Sequence, residues 1–321
     1  MKNINIVILA AGMGTRMVSQ KPKVMHILGN MTLVEYVIHA AQKLTNNKMH
    51  LVIGYQAEFV KNTLKRYKNL NFIYQKEQLG TGHAVKMAMK SLPQKGITVV
   101  LNGDIPLIKD ETIQDLINFH IARNSSATVL TTHLENPFGY GRVVRDKMAE
   151  LEKIVEEKDC SNGEHQIDEI NAGIYAFNNE HLNASLKKLK TDNKQKEYYL
   201  TDVIQILRKM GKKVFPYSTP DHDEVLGINN RHELIKAASI LKQRKINELI
   251  DSGVTVLDPI TTSIDQDVKI GVDTVIYPNT TICGETSIGE DCRIGPFVHL
   301  EDTEIPNNTV ISTPFKSHVP E

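Results

Sequence analysis

The sequence predicts an α/β fold, with a mostly parallel sheet covered by helices on both faces, followed by a short β-helix. Three observations carry this expectation. From residue 4 to about 230, short β-branched runs alternate with longer amphipathic stretches, the order expected of strands and crossover helices. Near Asn229 the alternation gives way to one long helical pattern. Beyond it, single aliphatic residues recur every six positions, the mark of a hexapeptide β-helix.

Taken in order, "INIVILA" from Ile4 is too apolar and too short for anything but a strand buried on both faces. "LVEYVIHAAQKL" then has helical spacing, "HLVIGY" is a strand, "EFVKNTLKRY" a helix, "NFIYQ" a strand, "TGHAVKMAMKSL" a helix and "ITVVLNGD" a strand ending at Asp104. Ligands of such sheets sit outside the carboxyl ends of the strands. The loop after Ala10 and the Asn102-Gly103-Asp104 turn both lie at such ends. "NNRHELIKAASILKQRKINELIDSG" reads as a connecting helix stopped at Gly253, a residue suited to a helix C-terminal cap. Ile264, Ile270, Ile276, Ile282, Ile288, Ile294 and Leu300 then keep the six-residue spacing, and Ile305 and Ile311 resume it after a one-residue slip. Three hexads per coil give about three coils. The predicted boundaries are 1–229, 230–253 and 254–321.

Composition narrows the partners. Acidic and basic residues balance at 38 each, so no overall field favours a nucleic-acid backbone or an anionic membrane. No apolar run approaches the roughly 20 residues of a membrane helix. Cys160, Cys283 and Cys292 are an odd number without metal-ligand spacing, and no charged leader precedes a long apolar core at the N-terminus. A cytoplasmic protein acting on small molecules is expected.

The stretch "ILAAGMGTRMVSQKPKVMH" places Gly12, Gly14, Arg16 and Lys23 directly after a buried strand. Its third fingerprint position is Met17 rather than glycine, and it lacks the Gly-Lys-Ser/Thr ending of a P-loop. What remains is a turn whose backbone N–H groups can face a phosphate, with a guanidinium fork and an ammonium nearby. A bland alternative stands beside it: two glycines permitting a turn and two solvated cations. Asp104 after Gly103 likewise reads either as a turn-forming aspartate or as a carboxylate for a hard cation.

Gly-x-Gly-Thr-Arg followed by Pro22-Lys23 resembles the signature loop of sugar-1-phosphate nucleotidyltransferases. "QKEQLGTGHA", "NGDIPL", "GYGR", "IVEEKD", "EINAGIYAF", "EYYLTD" and "GINNR" follow in the order found in bacterial UDP-N-acetylglucosamine pyrophosphorylases, the uridyltransferase half of a bifunctional enzyme. The likeness covers residues 4 to 255. The hexads resemble the start of that family's left-handed β-helix.

The resemblance implies a Rossmann-like nucleotidyltransferase sheet and transfer of uridylyl from UTP to N-acetylglucosamine 1-phosphate. UDP-N-acetylglucosamine for cell-envelope synthesis and pyrophosphate are the implied products. By the same likeness Arg16 and Lys23 are catalytic. Leu9, Ala10, Ala11, Gly12, Gly14, Gln75, Gln78, Gly80 and Thr81 hold the nucleotide. Gly103, Gly141, Glu156, Asn171 and Asn229 hold the sugar, and Asp104 and Asn229 hold Mg²⁺. A homotrimer formed through the β-helix is implied as well. His26 and His83 read as packing and helix-start residues, and Tyr198 and Tyr199 as amphipathic packing.

Two departures matter. The family pattern has Tyr-Gly-Asp where this chain has Asn102-Gly103-Asp104, which puts one substrate contact in question. The bifunctional enzymes continue their β-helix for many more coils, so acetyltransfer is expected to be absent from this chain. Transfer to another sugar 1-phosphate such as glucose 1-phosphate, and a non-catalytic sugar-nucleotide binding protein, are the rival expectations.

Overall fold

Ile6 and Ile8 on one face of the first strand and Val7 on the other are all fully buried, and each face enters a different core. A strand covered on both sides is apolar along nearly all of its length, which is why "INIVILA" shows no alternation; its one polar residue, buried Asn5, donates to the Ile97 carbonyl at 3.3 Å. In the computed structural model, which describes residues 3–45 and 47–312, this strand is β1 (Ile4–Ala10).

The chain divides into two compact units: Met1–His26 with Thr32–Glu233, and Ile27–Met31 with Leu234–Glu321. After β1 come the two-residue strands β2 (Ile27–Leu28) and β3 (Met31–Thr32), then α1 (Leu33–Gln42), β4 (Met49–Ile53), α2 (Ala57–Leu64), β5 (Leu70–Tyr74), α3 (Thr81–Met89) and β6 (Ile97–Asn102). There follow α4 (Asp110–Ala122), β7 (Ala127–His133), β8 (Gly141–Arg145), β9 (Leu151–Val155), β10 (Glu169–Asn178), α5 (Asn179–Leu186), α6 (Asp202–Lys209) and β11 (Val214–Ser218).

Among the described residues β2 and β3 pair with each other, and the other nine strands form one sheet whose main path runs β11-β7-β10-β6-β1-β4-β5. The β4–β5, β1–β4, β1–β6 and β7–β11 pairs are parallel. β10 is antiparallel to both β6 and β7, and the β8–β9 hairpin hangs from its first residues. This antiparallel strand was not readable in the sequence: buried aliphatic runs look alike in either direction. Its register shifts between Asn171 and Tyr175, where Gly173 takes φ +74°. The shift bends the strand next to the parallel strand ends.

The second unit contains most of α7 (Arg231–Asp251) and the hexads. Gly253, at φ +91°, lets Val254 N–H return to the Leu249 carbonyl at 3.0 Å and ends the helix as its sequence suggests. Beyond it lie β12 (Thr255–Val256), β13 (Ser263–Ile264), β14 (Lys269–Ile270), β15 (Val275–Ile276), β16 (Thr281–Cys283), β17 (Ser287–Ile288), β18 (Arg293–Ile294), β19 (His299–Glu301), β20 (Glu304–Ile305) and β21 (Val310–Ile311). They stack as three parallel ladders, β12-β15-β18-β21, β13-β16-β19 and β14-β17-β20. The aliphatic residue of each rung enters a core that includes Ile264, Ile276, Ile282, Ile288, Ile294 and Ile305. The slip after Leu300 falls at Asp302, whose φ of +48° forms the turn, and Ile288 still pairs with Ile305. The end of the predicted β-helix, residues 313–321, lies outside the described residues. No helix among the described residues is long and apolar enough to cross a membrane.

Ile282 is fully buried in this core. Its replacement by Ala should destabilise the repeat unit by roughly 2–5 kcal/mol, read as a lower denaturant midpoint for that unit. A loss below about 1 kcal/mol would mean that the rung does not depend on its packing.

Candidate active site

The loop that follows β1 is shaped by one missing side chain. Gly14 sits at φ +70°, and a Cβ there would collide with Lys23 Cβ, so a glycine is needed both for the backbone and for the approach of Lys23. At the end of β6, Gly103 N–H bonds the Leu9 carbonyl at 2.9 Å, and a Cβ at Gly103 would lie 3.0 Å from that oxygen. The ends of β1 and β6 are thereby held side by side, and Asp104 emerges next to the glycine loop. The Asp104 carbonyl accepts Ile228 N–H at 2.9 Å, which brings in Asn229.

Four predicted residues meet here. Lys23 Nζ forms an ion pair with the Asp104 carboxylate, both side chains being largely buried. The same ammonium donates to Asn229 Oδ1 at 3.0 Å, and Arg16 Nη2 donates to that oxygen at 2.8 Å. Asn229 Nδ2 donates to the Gly227 carbonyl at 3.2 Å, which turns the amide oxygen toward the cations.

Two cavities share Leu9, Thr81, Asn102 and Asp104 in their walls. One, of about 440 Å³, is lined by Ala10, Ala11, Gly12, Lys23, Gln75, Gln78 and Gly80. Gln75 is buried, and its Nε2 contacts the Gly80 carbonyl and His83 Nδ1, each at 3.1 Å. Its amide nitrogen is thus engaged within the protein, and the oxygen is what Gln75 can offer a ligand. Gln78 Nε2 donates to the Gln75 carbonyl at 3.2 Å. His83 is the third residue of α3, as its position suggested, but its contact with Gln75 was not foreseen.

The other cavity, of about 320 Å³, is lined by Arg16, Gly141, Glu156, Asn171 and Asn229. Thr201 Oγ1 donates to Glu156 Oε1 at 3.0 Å. Desolvation pushes the Glu156 carboxyl above its ordinary value; the Thr201 hydrogen bond opposes the rise, while Asp202, Asp159 and Glu197 add to it. Asn171 is buried, donates to Tyr175 Oη at 2.7 Å and accepts Gly173 N–H at 3.0 Å. Asn171 and Gly141 are paired across the β8–β10 ladder.

Gly14 and Gly103 are not among the lining residues; they stand behind the walls and set Lys23 and Asp104 in place. Asn102 lines both cavities, and Gly173 makes room for it, since a Cβ at Gly173 would collide with the Asn102 amide. Tyr175 and Thr201 also line the smaller cavity without having been singled out from sequence. Thr201 precedes α6 yet makes no side-chain cap, because its hydroxyl is spent on Glu156. No spacing rule announces such a contact. Tyr198 and Tyr199 line neither cavity.

The nucleotidyl transferase family pattern matches residues 5–222, and the bacterial transferase hexapeptide pattern of six repeats matches residues 267–302. The bifunctional protein GlmU of Caldanaerobacter subterraneus is 41% identical over 99% of this chain and 70% of its own length. That of Streptococcus agalactiae is 45% identical over 95% of this chain and 66% of its own length. The chain belongs to the GlmU family of nucleotidyltransferases. A crystal structure of a UDP-glucose pyrophosphorylase complexed with UDP-glucose matches this GlmU-family chain with a TM-score of 0.62. It is 17% identical and covers 76% of this chain and 100% of its own, a likeness of fold alone.

A buried carboxylate with a raised pKa should cost stability. With its folded pKa raised, Glu156 adds no penalty below the ordinary carboxylate range; the penalty grows as pH rises through that window and is full above the folded value. Glu156→Gln should therefore have a higher Tm than the parent at neutral pH, with the gap closing in acid. A gap that is constant with pH, or reversed, would contradict the assigned cause.

Proposed function

We propose that this chain transfers uridylyl from UTP to N-acetylglucosamine 1-phosphate, giving UDP-N-acetylglucosamine and pyrophosphate. The observation that carries the reading is the meeting of the two cavities at Asp104, with Lys23, Arg16 and Asn229 gathered at the junction. In this reading the larger cavity takes the nucleotide. The uracil lies between Leu9–Gly12 and the Gln75–Thr81 segment, with Gln75 Oε1 accepting from its imide N–H. The triphosphate faces the backbone N–H groups of the Gly12–Gly14 loop. The smaller cavity takes the sugar, with Gly141 N–H, Glu156 and Asn171 directed at its hydroxyl and N-acetyl groups.

A phosphate oxygen of the sugar phosphate attacks the α-phosphorus of UTP, and the α–β P–O bond breaks as pyrophosphate leaves. The attacking oxygen is already ionised, so no protein base is required. What the site has to supply is in-line placement and positive charge. Arg16 and Lys23 supply that charge, and the shared wall of the cavities supplies the placement.

The donor set fits a divalent cation: Asp104 offers a carboxylate oxygen, Asn229 offers Oδ1, and both already draw the Lys23 ammonium toward one point. Oxygen ligands of this kind suit Mg²⁺. Asp104 and Asn229 would hold it, and when bound it supplies charge neutralisation at the phosphates.

We further assign residues 1–229 to the transferase domain, 230–253 to a connecting helix and 254–321 to the β-helix. That β-helix is read as the contact through which the chain forms a homotrimer. The reaction belongs in the cytoplasm, where UTP is held.

Pyrophosphate release from Mg²⁺ and UTP should be strongly favoured by N-acetylglucosamine 1-phosphate over glucose 1-phosphate. Lys23→Ala should lower the rate by roughly 10²–10³-fold, far more than its effect on folding, with circular dichroism showing a folded variant. Preference for glucose 1-phosphate would overturn the sugar assignment; an undiminished rate in the variant would remove Lys23 from the chemistry.

A further inference from the structure

The hexads carry a second cluster of ligand-type side chains, far from the transferase cavities in sequence. Cys283 ends β16 and Glu301 ends β19; the two are paired directly across the parallel ladder. His299 lies two residues before Glu301, so strand alternation puts it on the same outward face, while Leu300 between them packs against the core of the repeat unit. The Cys283 thiol, the His299 imidazole and the Glu301 carboxylate thus stand on one face of two adjacent rungs. Their ligand atoms all lie within 4.8 Å of one another.

One long hydrogen bond to sulfur joins Cys283 and His299, and the spacing of the three groups also suits a shared ion. His299 Nε2 is 3.7 Å from Glu301 Oε2, beyond hydrogen-bond range. Cys283 Sγ is 3.6 Å from His299 Nε2. A tetrahedral zinc with bonds of roughly 2.0–2.3 Å spaces its ligand atoms about 3.3–3.8 Å apart. The Cys283–His299 edge of such a tetrahedron is therefore already set, and rotation of the exposed Glu301 side chain sets the two edges made by its carboxylate. The thiol donates to the Leu300 carbonyl at 3.4 Å, a bond that metal coordination replaces.

The neighbourhood is acidic as well. Asp265 accepts Gly284 N–H at 3.2 Å and Asp302 accepts Glu285 N–H at 2.9 Å, so carboxylates flank Cys283 from two adjacent coils. A dication offsets their mutual repulsion.

We propose that Cys283, His299 and Glu301 form a Zn²⁺ site on the outer face of the β-helix, with water in the fourth position. The donor types decide the ion. A thiolate, an imidazole and a carboxylate suit zinc and exclude Mg²⁺, whose preference is for oxygen alone. Bound there, the ion ties the β16 rung to the β19 rung and so joins two successive coils. Binding releases the thiol proton to solvent and involves no redox step.

Co²⁺ is the probe that reads the site. It would be titrated into the reduced, metal-free chain in excess Mg²⁺, which occupies oxygen-only sites. The expected result is one Co²⁺ per chain with a thiolate-to-cobalt charge-transfer band that Zn²⁺ displaces. Cys283→Ser should abolish the band, and His299→Ala should weaken binding by roughly tenfold or more. In parallel, Zn²⁺ should raise the Tm of the parent but not of Cys283→Ser, with circular dichroism confirming that both variants fold. No band in the parent, a band that persists in Cys283→Ser, or binding unaffected by His299→Ala would overturn the assignment.

Discussion

Two cations are held against a single amide oxygen in this protein, and a carboxylate makes that arrangement tolerable. Arg16 and Lys23 both donate to Asn229 Oδ1, so the charged groups lie within about 6 Å of each other. At an effective dielectric of about 20 their repulsion amounts to about 3 kcal/mol. The Lys23–Asp104 ion pair offsets it. Each surrounding feature serves this balance: the missing side chain at Gly14 that admits Lys23, the Gly103–Leu9 bond that fixes the Asp104 turn, and the Ile228–Asp104 bond that brings Asn229 into reach.

A carboxylate paired with an ammonium is also a place where a nucleotide phosphate and its metal can be exchanged for protein contacts. The oxygens of Asp104 and Asn229 are paired with the Lys23 and Arg16 cations, so the largely buried carboxylate and ammonium satisfy one another. In the proposed reaction the cations turn to phosphate and the oxygens to the metal. Glu156 has no such balancing partner. Its burial and acidic neighbours work against the charge that the proposed sugar contact uses, a cost of the kind expected where binding rather than stability shapes a residue's surroundings.

The alternation of strands and helices was legible because each element buries an apolar face with its own period, and the hexads because seven consecutive aliphatic residues at six-residue spacing outweigh a run of ordinary strands spaced by chance. The direction of β10 was not, since a buried run carries no sign of which way it pairs. Lys23, Asp104 and Asn229 could be named from the family resemblance, but their convergence depends on bonds between backbone atoms that no motif records. The His83 contact with Gln75 and the Thr201 contact with Glu156 join segments through side-chain geometry alone. The Cys283 pairing with Glu301 was within reach: three hexads make one coil, so residues eighteen apart stack across the ladder.

In the proposed reaction Asp104 links the metal to the nucleotide. Calorimetric titration of UTP into the parent protein and into Asp104→Asn, each with and without Mg²⁺, tests this most directly. The parent should bind UTP more tightly with Mg²⁺ by roughly tenfold or more, and the variant should lose most of that gain. An equal Mg²⁺ effect in both proteins would contradict the account.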